Sequence, residues 1–157
     1  MAIPNNPIAL AVGFEMKLYS RADVSTWVDN QVARVDVVVG PLLELTTLRD
    51  KDDGDIAKLL CAMTGRAGEA EVGQLGLGIV HHLFVTKRVS LLAAVDRIRW
   101  LRMKHFSNDD AEYTECLVLD DAYDLAADGS YGTFADVERD MLAFLEPYAA
   151  RLDGPER

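Results

Sequence analysis

Residues 90–104, SLLAAVDRIRWLRMK, carry the clearest helical pattern in the chain. Ser90 suits the position before the first helical residue, because its hydroxyl oxygen can accept a hydrogen bond from a backbone N–H that the helix leaves unpaired. Apolar side chains then recur at spacings of three and four, which places them on one helical face. They are Leu91, Ala94, Val95, Ile98 and Leu101. The stretch therefore predicts an amphipathic helix that packs against other helices.

Similar patterns extend in both directions along the chain. Ser20 followed by Asp23, and Thr133 followed by Asp136, are typical of capped helix starts. Further apolar series at helical spacing lie in residues 24–35, 56–63, 67–86 and 134–148, and Pro41 suits the first turn of a short helix.

Strand-like sequence is rare. Residues 35–39 and 116–119 are too isolated to found a sheet. We therefore expect an all-α fold, a single compact domain of six to seven helices over residues 1–157, with residues 153–157 as a loose tail. The sequence shows no internal repeat.

The acidic segment, residues 107–128, holds eight carboxylates and no Lys or Arg. The whole chain has 26 acidic and 16 basic side chains, a net charge of -10, so this segment carries eight of the ten excess negative charges. Such a concentration favours either a cationic partner or a solvated face. The candidate partner-binding residues are Asp109, Asp110, Glu112, Glu115, Asp120, Asp121, Asp124 and Asp128.

Two features of the surrounding sequence qualify this prediction. Four consecutive apolar residues, 116–119, would surround a helix, so we expect a break near Leu119 with Asp120 opening a second element. The preceding basic stretch holds Arg97, Arg99, Arg102 and Lys104. We expect it to neutralise part of the acidic segment, which leaves a solvated face and a basic partner both open.

Other candidate sites are weaker. His81 and His82 are adjacent and point about 100° apart on a helix, so they cannot chelate a metal as an i, i+4 pair does. The loop 50–55 fails the register of a calcium-binding EF-hand and predicts helix capping. The glycine cluster in residues 65–78 lacks a dinucleotide-binding pattern, and predicts close helix packing, a bend or a ligand-approach surface. We expect no metal and no cofactor.

Chemistry and location are constrained mainly by what the sequence lacks. No serine or cysteine lies in a recognisable nucleophile motif, so we do not expect an enzyme. Cys61 and Cys116 suggest buried thiols and no disulfide framework. No signal peptide or membrane-spanning stretch is recognisable, which favours a cytoplasmic protein.

Residues 18–29, LYSRADVSTWVD, followed by residues 41–45, PLLEL, resemble the front of small bacterial proteins from toxin–immunity loci of the contact-dependent growth inhibition type. The resemblance implies a cytoplasmic immunity protein that blocks a cognate toxin domain, often a nuclease with a basic active site. Its motifs serve helix capping and packing, so no binding residue carries over from it.

The primary hypothesis is a non-enzymatic immunity or inhibitor protein that binds a basic toxin domain through the acidic segment, without direct contact with nucleic acid or membrane. The alternative is a small-molecule- or metal-binding helical domain that uses His81, His82 and the glycine cluster. A helical homo-oligomer is a third possibility.

Overall fold

The computed structural model describes residues 3–63 and 68–150. This part of the chain contains eight α-helices, one short 3₁₀-helix and no strand, which confirms the all-α prediction with one helix more than expected. The α-helices are α1 Pro7–Glu15, α2 Arg21–Val32, α3 Gly40–Leu45, α4 Asp53–Ala62, α5 Glu69–Val85, α6 Leu91–His105, α7 Ala111–Ala127 and α8 Phe134–Ala149. The predicted loose tail, residues 153–157, lies outside the described residues.

The additional helix, α1, is apolar on every side. All its residues from Ile8 to Phe14 are buried, as expected of a helix surrounded by packing partners. Because it has no polar face, its sequence shows no helical period, and periodicity alone cannot find it. Asn6 caps its start and accepts a hydrogen bond from the Ile8 backbone N–H at 2.9 Å.

The chain divides into two compact units, Met1–Gly68 (unit 1) and Glu69–Arg157 (unit 2). The single domain expected from the sequence stays a prediction. In unit 1, α1 packs against α2 and α4, and α3 packs against the same two helices. Its core includes Leu10, Trp27, Leu45 and Leu60. Gly13 is part of this packing, since a Cβ there would lie 2.4 Å from the Tyr19 ring.

In unit 2, α5 packs against α6 and α8, and α7 packs against the same two helices. Leu77, Ile98, Leu101, Met141 and Leu145 are fully buried in it. The predicted caps are present: the Ser90 hydroxyl accepts a hydrogen bond from the Ala93 backbone N–H, and Thr133 and Asp136 form a capping box. Within the described residues, no helix combines the length and the apolar character needed to cross a membrane.

The two units repeat one another in topology, with α1 to α4 corresponding in order to α5 to α8. The turn after the first helix has the same backbone in both: Lys17 and Lys87 have φ of 58° and 55°. The next residue donates its backbone N–H to the carbonyl five positions earlier, at 2.8 Å in each unit. A serine, Ser20 or Ser90, then caps the second helix.

The fourth helices correspond in the same way. Asp55 and Lys58 at the start of α4 form an ion pair three residues apart, as do Asp136 and Arg139 in α8. Few other side chains match, which is why the repeat escapes inspection of the sequence. It lies in the backbone and in the order of helix contacts.

Candidate protein-interaction face on helix α7

Most of the acidic segment forms one unbroken helix, α7, so the predicted break near Leu119 is wrong. The four apolar residues do surround the helix as their spacing requires. Cys116 and Leu119 point into unit 2, whereas Leu117 and Val118 are exposed. The helix continues and carries apolar side chains on its outer surface.

Asp120 lies on the inner side of α7 and is only 8% exposed. Arg99 of α6 donates from Nε to both of its carboxylate oxygens, at 2.9 and 3.0 Å, and from Nη2 to Oδ1. Arg102 Nη2 lies 3.5 Å from the second oxygen. The carboxylate of Asp120 holds the pKa of Arg99 above its usual range through these hydrogen bonds. A buried carboxylate is stable only when it is paired in this way, and we assign Asp120 to the internal structure.

The basic stretch of α6 therefore neutralises part of the acidic segment, as predicted. Arg99 Nη2 also lies 3.9 Å from Asp124 Oδ1, so this guanidinium reaches two turns of α7. Lys104 Nζ sits 4.8 Å from the centre of the Trp100 ring, and the Arg102 guanidinium 5.5 Å from that of Tyr113. These cations are engaged within unit 2.

Three more of the nominated carboxylates have structural partners. Glu112 accepts hydrogen bonds from Gln74 Nε2 at 2.6 Å and from the Tyr148 hydroxyl at 3.2 Å. Asp110 precedes α7 and accepts from the backbone N–H and hydroxyl of Ser107. Asp128 accepts from the Ser130 backbone N–H at 2.8 Å, and hydrogen bonding with Ser130 lowers its pKa.

The other carboxylates are directed at solvent. Asp109, Glu115 and Asp121 are exposed, and no ion pair or hydrogen bond joins their side chains to any other described residue. Asp124 is exposed as well, with Arg99 at the edge of ion-pair distance. The eight nominated residues therefore separate into three groups: internal residues, residues at the helix ends that accept local hydrogen bonds, and residues directed at solvent. They are, in that order, Asp120 and Glu112; Asp110 and Asp128; and Asp109, Glu115, Asp121 and Asp124.

Asp121 and Asp124, together with Asp128 at the C-terminal cap, share the outer side of α7 with apolar residues. Asp109 precedes the helix, and Glu115 lies on another side of it. Positions three and four apart form one stripe along a helix, and every member of this stripe is exposed. We call it the α7 face; its residues are Leu117, Val118, Asp121, Asp124, Leu125 and Asp128.

The α7 face thus combines apolar side chains with negative charge and contains no Lys or Arg. Val118 is 55% exposed, with Asp121 one turn further along the helix. Leu117 and Leu125 are exposed as well. The run of four apolar residues at 116–119 is the sequence signal for exposed apolar side chains on this helix, because not all four can point inward.

The elements of the alternative hypothesis are dispersed or explained by packing. Within residues 3–63 and 68–150, no three His, Cys, Asp or Glu side chains are grouped to hold a metal ion. Gly73 lets α5 approach the end of α6, because a Cβ there would lie 2.6 Å from the Phe106 ring. In the 50–55 loop, Asp52 caps α4 and Asp53 pairs with Lys17 and Arg21.

The residues that carry the immunity-protein resemblance serve the architecture of unit 1. Tyr19 packs over Gly13, Ser20 caps α2, and Trp27 is 3% exposed in the core. They do not form a binding surface. No protein-family model, curated protein or solved structure matches this chain.

Proposed function

We propose that this chain is a cytoplasmic, non-enzymatic immunity protein of bacteria that binds a basic toxin domain through the α7 face and blocks it. The observation that carries the proposal is the composition of that face. It presents exposed Leu117, Val118 and Leu125 beside Asp121, Asp124 and Asp128, with no Lys or Arg.

The apolar members supply contact area. An exposed Val or Leu on a helix loses water-accessible apolar surface when a partner covers it, which favours association by about 25 cal/mol per Å² of apolar surface buried. Leu117 and Val118 are adjacent, and Leu125 lies about two turns further along the helix with Asp121 between them. The face therefore mixes apolar contact area with charge, and protein interfaces contain both.

The carboxylates supply partner choice. Negative charge on the α7 face accelerates encounter with a basic surface and repels acidic ones. A nuclease active site that holds phosphates with Lys and Arg is such a surface, and the carboxylates of the α7 face would occupy the positions of its phosphate groups. Binding there would exclude the nucleic acid and leave the toxin inactive.

The direct test uses as its probe the basic toxin domain that, on this proposal, a gene next to this chain's own should encode. Association kinetics are measured for the wild type and for Asp121→Lys at increasing salt. Asp121 is exposed and unpaired among the described residues, so its reversal leaves the fold intact. We expect association to slow by about tenfold in Asp121→Lys and to slow with salt in the wild type.

Glu146→Lys provides the matched control. Glu146 is an exposed carboxylate on α8, and its reversal changes the net charge by the same amount at a different surface. Equal slowing in both variants would show general charge attraction and refute the α7 face as the contact. Val118→Ser, which keeps the charge, should accelerate dissociation, and an unchanged dissociation rate would exclude Val118 from the interface.

A further inference from the structure

Unit 1 has a second apolar patch that the proposed function leaves unused. All four exposed large apolar side chains of its described residues lie on α3 or on the connection that leads into it. We call them the valine patch: Val35, Val37, Val39 and Leu43. Val37 is 71% and Val39 66% exposed, whereas Val38 between them packs on the core of unit 1.

The valine patch lies near the element of unit 1 that corresponds to α7. In the topological repeat, α3 corresponds to α7, and each packs against the second and fourth helices of its unit. Leu43 is on α3 itself, whereas Val35, Val37 and Val39 lie on the connection that leads into it.

The two surfaces differ in charge. Residues 1–68 hold nine acidic and seven basic side chains, so unit 1 carries two of the ten excess negative charges. The α7 face would repel a second copy of itself, but the valine patch has one exposed residue of each sign beside Val35. These are Arg34 and Asp36, and neither is paired with another described residue.

We propose that the valine patch is the contact surface for a second copy of this chain, in a two-fold symmetric dimer. In such a contact each residue meets the partner patch in reverse order. A two-fold axis beside Val35 sets Arg34 of one copy against Asp36 of the other, twice. The apolar side chains are then covered, and two unpaired charges of each copy obtain partners.

This dimer is independent of toxin binding, and salt distinguishes the two. Two copies with a net charge of -10 repel at long range, so screening by salt should favour an apolar dimer. The association of the α7 face with a basic domain should instead weaken with salt. Failure of one interaction therefore says nothing against the other.

The test is sedimentation equilibrium of the full chain over micromolar to millimolar concentrations. We expect a monomer–dimer equilibrium that Val37→Asp weakens by about tenfold or more, because the change removes apolar area and adds like charge in both copies. Val118→Asp, on the α7 face, is the matched control and should leave the dimer unchanged. Circular dichroism at the helical minimum should confirm that both variants are folded.

A charge exchange tests the register of the contact. Arg34→Asp alone and Asp36→Arg alone should each weaken the homodimer, since like charges then face one another. An equimolar mixture of the two single variants should form a heterodimer, because every Asp then faces an Arg: one pair is the native one and the other has reversed signs. A monomer at every concentration, a dimer unaffected by Val37→Asp, or a mixture that stays monomeric would each overturn the proposal.

Discussion

Replacing Asp120 by Ala should be one of the most destabilising substitutions on α7, although seven other carboxylates lie in the same acidic segment. The carboxylate is 8% exposed and faces two guanidinium groups, Arg99 at 2.9 Å and Arg102 at 3.5 Å. Removing one partner of a buried ion pair costs about 3–5 kcal/mol, because the remaining charge stays buried without compensation.

The exposure of the two arginines places the expected loss near the lower limit of that range. The Arg99 side chain is 39% exposed, and it can turn towards water, Asp96 and Asp124. Arg102 is 12% exposed, and Asp120 is its only carboxylate partner among the described residues. We therefore expect Asp120→Ala to lower the free energy of unfolding by about 3 kcal/mol.

The assay is urea denaturation followed by circular dichroism, with Asp121→Ala as the control. Asp121 is the next residue, exposed and unpaired, so its replacement should change the free energy of unfolding by less than about 0.5 kcal/mol. The double variant Arg99→Ala/Asp120→Ala should show a coupling free energy of at least about 1 kcal/mol. Equal effects of Asp120→Ala and Asp121→Ala would refute the division of the acidic segment into internal and solvent-directed carboxylates.

Three further predictions concern packing, thiol chemistry and pH. Gly73→Ala should lower the free energy of unfolding by about 1–2 kcal/mol, since overpacking against Phe106 outweighs the gain in helix propensity; a Phe106→Leu change in the same chain should recover part of the loss in urea denaturation. Burial raises the pKa of the Cys116 thiol to about 12. In a Cys61→Ser chain, where Cys116 is the remaining thiol, Ellman's reagent should therefore react at neutral pH only after urea unfolds the protein. Fast labelling of the folded protein would contradict this. Hydrogen bonds from Thr133 and Arg139, in that order of size, hold the pKa of Asp136 below its usual value, so this cap contributes stability above about pH 4 and loses it as pH falls through the folded pKa. Asp136→Asn should therefore make the free energy of unfolding in urea depend less on acid pH. An unchanged pH dependence would exclude the cap as the source of acid destabilisation.

The sequence predicts helices where capping residues within one turn identify the helix start. Ser20, Ser90 and Thr133 cap helices as their spacing predicts, because a cap depends on residues within one turn. The same local rule fails for α1, whose apolar surroundings are supplied by helices distant in sequence. Its apolar run has no period to read.

The candidate site likewise has a part that local sequence predicts and a part that depends on how the helices pack. Charge counting locates the acidic segment, and proximity in sequence suggests the basic helix that neutralises part of it. Which carboxylate pairs with Arg99 depends on how α6 and α7 cross. In the observed packing, Asp120 is the carboxylate that lies inside and pairs with Arg99. The exposure of Leu117 and Leu125 likewise depends on which side of α7 the neighbouring helices cover.

The most direct test of the central claim is amide hydrogen exchange of this chain, free and saturated with the basic toxin domain that the proposal expects a neighbouring gene to encode. If the α7 face is the contact, slowing of exchange on binding should concentrate in residues 111–128, and it should be lost at the same concentrations in Asp121→Lys but not in Glu146→Lys. Slowing confined to other helices, with residues 111–128 unchanged in the complex, would contradict the account.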